Sequence, residues 1–208
     1  MYRPADFRED RPERLEAFVA AHPLGALVIA TPGGLVANHI PMLLVRDAAG
    51  RALLRGHVAR ANELWRVAAD ATPALVLFGG AQRYVTPSWY PSKRATGEVV
   101  PTWNYAVVHA HGPLRFVADR DWLLALVTAL TERNERPRAA PWQVADAPAA
   151  YIERMLGAIV GFEIIVERLE GKFKASQNRS AEDRAGVAAG LAADGVSDAE
   201  RDELVRPP

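Results

Sequence analysis

Histidine, lysine and asparagine are scarce in this chain, and most of them gather in short polar and aromatic islands. Four of the five histidines (His39, His57, His109, His111) and four of the five asparagines (Asn38, Asn62, Asn104, Asn178) lie there, and lysine occurs only at Lys93, Lys172 and Lys174. The richest island is "VVPTWNYAVVHAHG", residues 99–112. Side chains alternate across a strand, so Trp103, Tyr105, Val107, His109 and His111 share one face. Asn104, Ala106, Val108, Ala110 and Gly112 share the other. The first face is aromatic and titratable, and suits a flat ring system or a subunit interface. The second is small and mostly apolar, and suits a tight barrel interior. The His-x-His pair could also ligate a metal, but no carboxylate lies nearby in sequence to complete a facial triad. No metal site is expected.

Four further islands carry chemistry, each with a plainer reading beside it. In "NHIPMLL" (38–44), His39 and Pro41 point the same way. Proline on a strand marks an edge or a bulge, where backbone amides are free to meet a ligand; a histidine held by a neighbouring carbonyl is the plainer reading. In "RGHVARANELW" (55–65), a strand ends at Gly56-His57 and a helix is expected from about Ala59-Arg60. Free amides at a helix start, with an arginine and a histidine, would suit a phosphate monoester. A surface arginine opening a helix is the alternative. In "TPSWYPSK" (86–93), prolines hold two aromatics that could wall a heterocycle or plug a barrel mouth. "GKFKASQNRS" (171–180) places Lys172, Lys174 and Ser176 on one strand face, for phosphate or an acidic partner. Lysines on a solvated edge strand also discourage aggregation.

The elements that must hold these islands can be read from periodicity and punctuation. Residues 12–22 have helical spacing, with Leu15, Phe18 and Val19 on one face. Residues 24–59 read as strand, turn, strand, turn, strand, with turns at Pro32-Gly33-Gly34 and Asp47-Ala48-Ala49-Gly50. A short helix over "ARANELWRVAAD", a strand from Pro73 to the "TPSWY" loop and one long strand over 102–117 follow. "DRDWLLALVTALTERNE" has an aspartate in its first turn to suit the helix dipole. A second helix is expected near 148–158, then strand over "GFEIIVERLEGKFKAS". Serine-capped helices close the chain, with the last nine or so residues loose. Hairpins dominate and strands do not alternate regularly with helices, so the expectation is an antiparallel β-barrel with peripheral helices, not a doubly wound parallel sheet.

Composition narrows the function. The chain has 208 residues, half of them hydrophobic, and a net charge of zero. One sizeable core fits this length, and the charge balance calls for neither nucleic acid nor an anionic membrane. There is no cysteine, which removes disulfides, thiolate nucleophiles and thiolate metal sites. No apolar run reads as a signal peptide or a bilayer span, so a soluble cytoplasmic protein is expected. Dinucleotide-binding, P-loop, nucleophile-elbow and zincin motifs are all missing.

The blocks "MYRPADF", "HIPMLL", "GHVARANELW", "YVTPSWYPSK", "VPTWNYAVVHAHG" and "GKFKASQNRSAEDRAGVAAGL", in this order, resemble the PaiB family of FMN-binding negative transcriptional regulators. The resemblance covers most of the chain. It implies an FMN-binding split barrel over residues 1–178 with a C-terminal helical extension over 179–208, and a homodimer with FMN at the subunit interface. It implies cofactor contacts from His39 and Ile40, and from Gly56, His57, Arg60 and Asn62. It extends them to Ser88, Trp89 and Lys93, to Thr102, Trp103, Asn104 and Tyr105, and to Lys172 and Lys174. By likeness to the more distant pyridoxamine-phosphate-type oxidases, Arg60 would hold the FMN phosphate, helped by His57 and Lys93. Trp89, Trp103 and Tyr105 would wall the ring. The oxidases' substrate-binding C-terminal pattern is absent, so their reaction does not carry over. A flavin-dependent or redox-sensing regulator is the leading reading. A flavin oxidoreductase or a haem-binding split barrel are its rivals, and direct DNA binding has weak support.

Overall fold

A computed structural model describes residues 1–205. The nine strands are β1 (Arg8–Glu9), β2 (Leu24–Thr31), β3 (Gly34–Pro41), β4 (Leu43–Arg46), β5 (Ala52–Ala59), β6 (Thr72–Val85), β7 (Thr102–Val117), β8 (Ile159–Ile165) and β9 (Arg168–Lys174). The helices are α1 (Pro12–Ala21), α2 (Leu64–Val67), α3 (Ser92–Ala95), α4 (Arg120–Glu135), α5 (Ala149–Gly157), α6 (Ala181–Ala193) and α7 (Asp198–Val205). The strands form one antiparallel sheet in the order β3-β2-β6-β7-β8-β5-β4, with β9 beside β7 and β1 beside β9. This agrees with the hairpin-rich, mainly β expectation. Among the described residues no helix is long and apolar enough to cross a membrane.

The chain forms two compact units. The first comprises Met1–His22, Phe78–His109 and Leu169 onward; the second comprises Pro23–Leu77 and Ala110–Arg168. In the first, α1 buries Leu15, Phe18 and Val19, as its spacing predicts, and Phe18 meets the Phe173 ring at 5.2 Å between centroids. A second cluster joins Val85 and Tyr90 to Val187, Leu191, Val196 and Leu204 from the C-terminal helices. In the second unit, β5 pairs with β8 from Leu53↔Ile165 to Ala59↔Ile159. Leu54, Gly56 and Val58 are buried on one face of β5, while Arg55 and His57 are only partly covered on the other. Gly56 is required there: a Cβ would stand 2.6 Å from the Phe162 ring. Strand β7 alternates as expected, with Ala106, Val108 and Ala110 at 3 % exposure or less.

Four local expectations are corrected. The strand read through "HIPMLL" is two, because Pro41 has no amide and Met42 leaves the ladder to donate its N–H to Pro23 O at 2.9 Å. No helix starts at Ala59-Arg60: β5 runs through Ala59, and the Arg60 N–H donates to Ala158 O at 2.7 Å. The helix there is one turn, opened where the Leu64 N–H donates to Asn62 Oδ1 at 3.0 Å. The strand read through "GFEIIVERLEGKFKAS" divides where the Val166 and Glu167 amides turn aside to Ala52 O and His111 O, both at 2.9 Å. The C-terminal tail is not loose up to residue 205: Leu204 is 1 % exposed, and the Ala81 N–H donates to Glu203 Oε1 at 2.8 Å. Residues 206–208, the end of that expected tail, lie outside the described residues.

Candidate functional site

In the first unit, β7 and β9 bring cations onto rings. The Lys172 ammonium lies 5.5 Å from the Tyr105 ring centroid and 5.5 Å from that of Tyr2. The Lys174 ammonium donates to Thr102 Oγ1 and lies 5.8 Å from the Phe7 ring. Trp103 is 52 % exposed and meets Tyr84 edge-on at 6.1 Å. Burial holds the Lys174 ammonium below the usual lysine range, and the positive charges of Lys172 and Arg179 act the same way against the opposite pull of Tyr105. Among the described residues, no carboxylate pairs with Lys172 or Lys174. The outcome is a partly desolvated pair of cations beside aromatic faces, with no anion among the described residues to match it.

Other residues of this unit are committed inside the fold. Asn104 is fully buried; its Nδ2 donates to Leu204 O and its Oδ1 accepts from Ser176 Oγ, both at 3.1 Å. It holds β7 and the C-terminal segment in register. Contrary to the expectation, Ser176 does not share the lysine face: it follows the end of β9 with φ 60° and is 3 % exposed. Trp89 packs on Gly190 of α6, where a Cβ would stand 2.2 Å from the indole. The Lys93 ammonium donates to Ser88 Oγ at 3.3 Å. His109, His111 and Glu170 bring ligand atoms within 4.8 Å of one another, so a carboxylate distant in sequence does reach the His-x-His pair. The Glu170 carboxylate is already faced by the Met1 amine at 3.1 Å and by Arg3 at 3.8 Å.

In the second unit, the guanidinium of Arg60 is turned inward. Its Nε donates to Gly157 O at 2.8 Å and an Nη to Ile159 O at 3.1 Å, and its plane lies 5.6 Å from the Trp65 ring. Those carbonyls lie at the end of α5, where a cation complements the helix dipole. Asn62 Nδ2 donates to Asn38 Oδ1 at 2.8 Å, leaving the shielded Asn38 Nδ2 without a partner. His39 is exposed on β3 opposite Ala26, whereas Ile40 is 6 % exposed and belongs to the core. His57 stands opposite Gly161 of β8, beside an apolar cavity, and its shielded Nδ1 has no hydrogen-bond partner. Burial lowers its pKa below the ordinary imidazole value.

FMN needs cations for a phosphate and rings for a planar heterocycle. The lysine pair and Tyr105, Trp103 and Tyr84 have that chemistry, so the residues fit the group. Tyr2, Phe7 and Tyr84 were not found as ring neighbours in the sequence, because strand pairing brings them there and no local spacing announces it.

Comparisons with known proteins agree. Residues 1–168 match the family described as "Putative FMN-binding domain". The "Protease synthase and sporulation protein PAI 2" of Bacillus subtilis is 33 % identical, over 88 % of this chain and 85 % of that protein. An uncharacterized protein of Emericella nidulans is 35 % identical, over 92 % and 90 %. The FAD and haem binding protein of Mycobacterium smegmatis matches at TM-score 0.62 and 20 % identity, over 88 % of this chain and 80 % of that one. The flavocytochrome Anf3 of Azotobacter vinelandii matches at TM-score 0.57 and 15 % identity, over 86 % and 75 %. At those identities the two structures speak for the fold alone, an antiparallel split barrel with peripheral helices. By its family match and its Bacillus relative, the chain belongs to the FMN-binding proteins of the PaiB type, and its cofactor is FMN.

Proposed function

We propose that the protein is an FMN-binding homodimer that acts as a flavin-dependent regulatory module, with the cofactor's phosphate held by Lys172 and Lys174. The observation that carries the placement is the lysine pair itself: two cations two residues apart on β9, against rings, with no carboxylate among the described residues to neutralise them. Arg60 is the weaker phosphate candidate, because its guanidinium already serves two backbone carbonyls. Tyr105 and Trp103 would flank the ring system. When bound, FMN supplies reversible redox chemistry, and the side chains named here bind and orient it.

Two further observations support the rest of the reading. The outer face of β2 and β3 is apolar apart from His39: Leu24, Ala26, Val28 and Ala30 stand opposite Pro41, His39, Ala37 and Leu35. Leu24 is 58 % and Leu35 79 % exposed. A contiguous exposed apolar face of this kind suits an isologous contact with a second copy. The Bacillus relative's name ties that protein to protease synthesis and sporulation, which favours a regulatory output over a metabolic one. Helix α7 is rich in acidic residues and the chain carries no net charge, so contact through a protein partner is favoured over direct DNA binding.

Flavin fluorescence titration tests the placement. The Lys172→Ala/Lys174→Ala variant should bind FMN at least about tenfold more weakly while its affinity for riboflavin, which has no phosphate, barely changes. Arg60→Ala should alter FMN affinity by less than about threefold, since its lost contacts are to backbone carbonyls. An unchanged FMN affinity in the double lysine variant would reject the assignment.

A further inference from the structure

Helices α4 and α5 and the segment that joins them enclose a cavity of about 280 Å³ against the strands β5 and β8, within the second unit. Its walls are apolar. Trp142, Tyr151 and Met155 line it and are 48 %, 47 % and 44 % exposed, so three of the chain's large exposed apolar side chains converge on one place. Isolated exposed apolar residues need no explanation, but a concave group of them with aromatic walls has the composition of a ligand pocket.

The joining segment is pinned in position. The Trp142 N–H donates to Glu135 Oε2 at 3.1 Å, and the Gln143 N–H to Asp146 Oδ2 at 2.8 Å. The Arg154 guanidinium lies 5.5 Å from the Tyr151 ring centroid and holds that wall. The pocket is therefore largely preformed, which lowers the cost of ordering it around a guest.

One side chain on the wall offers directed polarity without a partner to use it. His57 stands on the outer face of β5 opposite Gly161 and lines the cavity. Its Nδ1 is shielded from solvent and has no hydrogen-bond partner. A neutral imidazole offers one N–H and one lone pair; a nitrogen closed to water is closed to a guest as well, so Nε2 is the atom that can meet one. Burial favours that neutral form.

We propose that this cavity binds a small planar aromatic molecule, one or two rings in size, whose hydroxyl or ring N–H is hydrogen-bonded by His57. The volume is too small for a flavin mononucleotide. No lysine or arginine is among the lining residues, which disfavours a phosphorylated guest. The proposal does not rest on the FMN placement, since Lys172 and Lys174 belong to the other unit.

Calorimetric titration of the full chain with indole and with indene, which has the same shape but no N–H, tests it. Indole should bind saturably at one site per chain and about tenfold more tightly than indene. His57→Leu should remove that difference. Ala147→Trp, which fills the cavity from its joining segment, should abolish binding of both while leaving the FMN titration unchanged. A readout that needs no variant guards against misfolding. The chain has only three methionines, so with methyl-labelled methionine the Met155 resonance should shift on adding indole. Equal affinity for indole and indene, full indole binding by folded Ala147→Trp, or an unmoved Met155 methyl would each overturn the proposal.

Discussion

At the scale of single residues, similar side chains take different parts because their surroundings differ. Arg60 and Lys174 are both cations in motifs that suggest phosphate binding. Arg60 meets the carbonyls of Gly157 and Ile159, whereas Lys174 meets a hydroxyl, the Phe7 ring and the field of other cations. Two of the five Arg60 N–H donors are held by carbonyls, which makes it the weaker site for an anion. His57 illustrates the converse, a titratable group whose burial disfavours its charged form. Its folded pKa lies below the unfolded value of 6.5. The unfolded chain then takes up this proton first as pH falls through 6.5, so stability drops as pH falls from there toward the folded pKa. Thermal melts between pH 7 and 5 should show a steeper fall for the wild type than for His57→Leu. Parallel curves would remove the imidazole from the account.

At the scale of elements, glycines decide how closely helices approach. Gly186 and Gly190 let α6 lie on Trp89: a Cβ at Gly186 would stand 2.0 Å from the Trp89 carbonyl oxygen, and one at Gly190 2.2 Å from its ring. Alanine is better than glycine inside a helix by about 1 kcal/mol, so the propensity argument alone predicts stabilisation. The contact wins, because a backbone oxygen cannot move aside cheaply. Gly186→Ala should destabilise by about 1–3 kcal/mol and Gly190→Ala by less, since an indole can shift. Chemical denaturation measures both, and a stabilised Gly186→Ala would mean that α6 is not packed as described. The same elements explain the blocks "PTWNY" and "SQN". Asn104 and Ser176 bond each other at 3.1 Å across 72 residues of sequence, so part of what resembles a binding motif fastens β7 to the C-terminal segment.

At the scale of the molecule, each unit carries its own surface. The first has the cations and rings, and the second has the apolar face of β2 and β3 and the cavity beside His57. If the β2–β3 face is the contact between copies, a charge in its middle should separate them. Ala37→Glu, opposite Val28, should turn a dimer into a monomer at micromolar concentration by size-exclusion chromatography with light scattering. It would do so because burying an unpaired carboxylate costs several kcal/mol. A variant that stays dimeric would move the interface elsewhere. FMN that binds only the assembled form stabilises it by mass action.

The sequence by itself determined the strand over 102–117, the alternation of its two faces, the helices α1, α4 and α6 with the serine cap of α6, and the islands where polar side chains gather. These are local properties: period, capping chemistry and turn residues act over a few positions, so a linear reading captures them. Its misreadings fell where a backbone amide takes a distant partner, as at Met42, Arg60, Val166 and Glu167. Tertiary structure alone decided which polar residues were left over. Strand pairing set Lys172 beside Tyr105, carried Glu170 to His109, turned Arg60 toward α5 and left His57 beside an apolar cavity. A side chain's partner is chosen by what else arrives in the same few ångströms, and sheet register sets that over separations of a hundred residues.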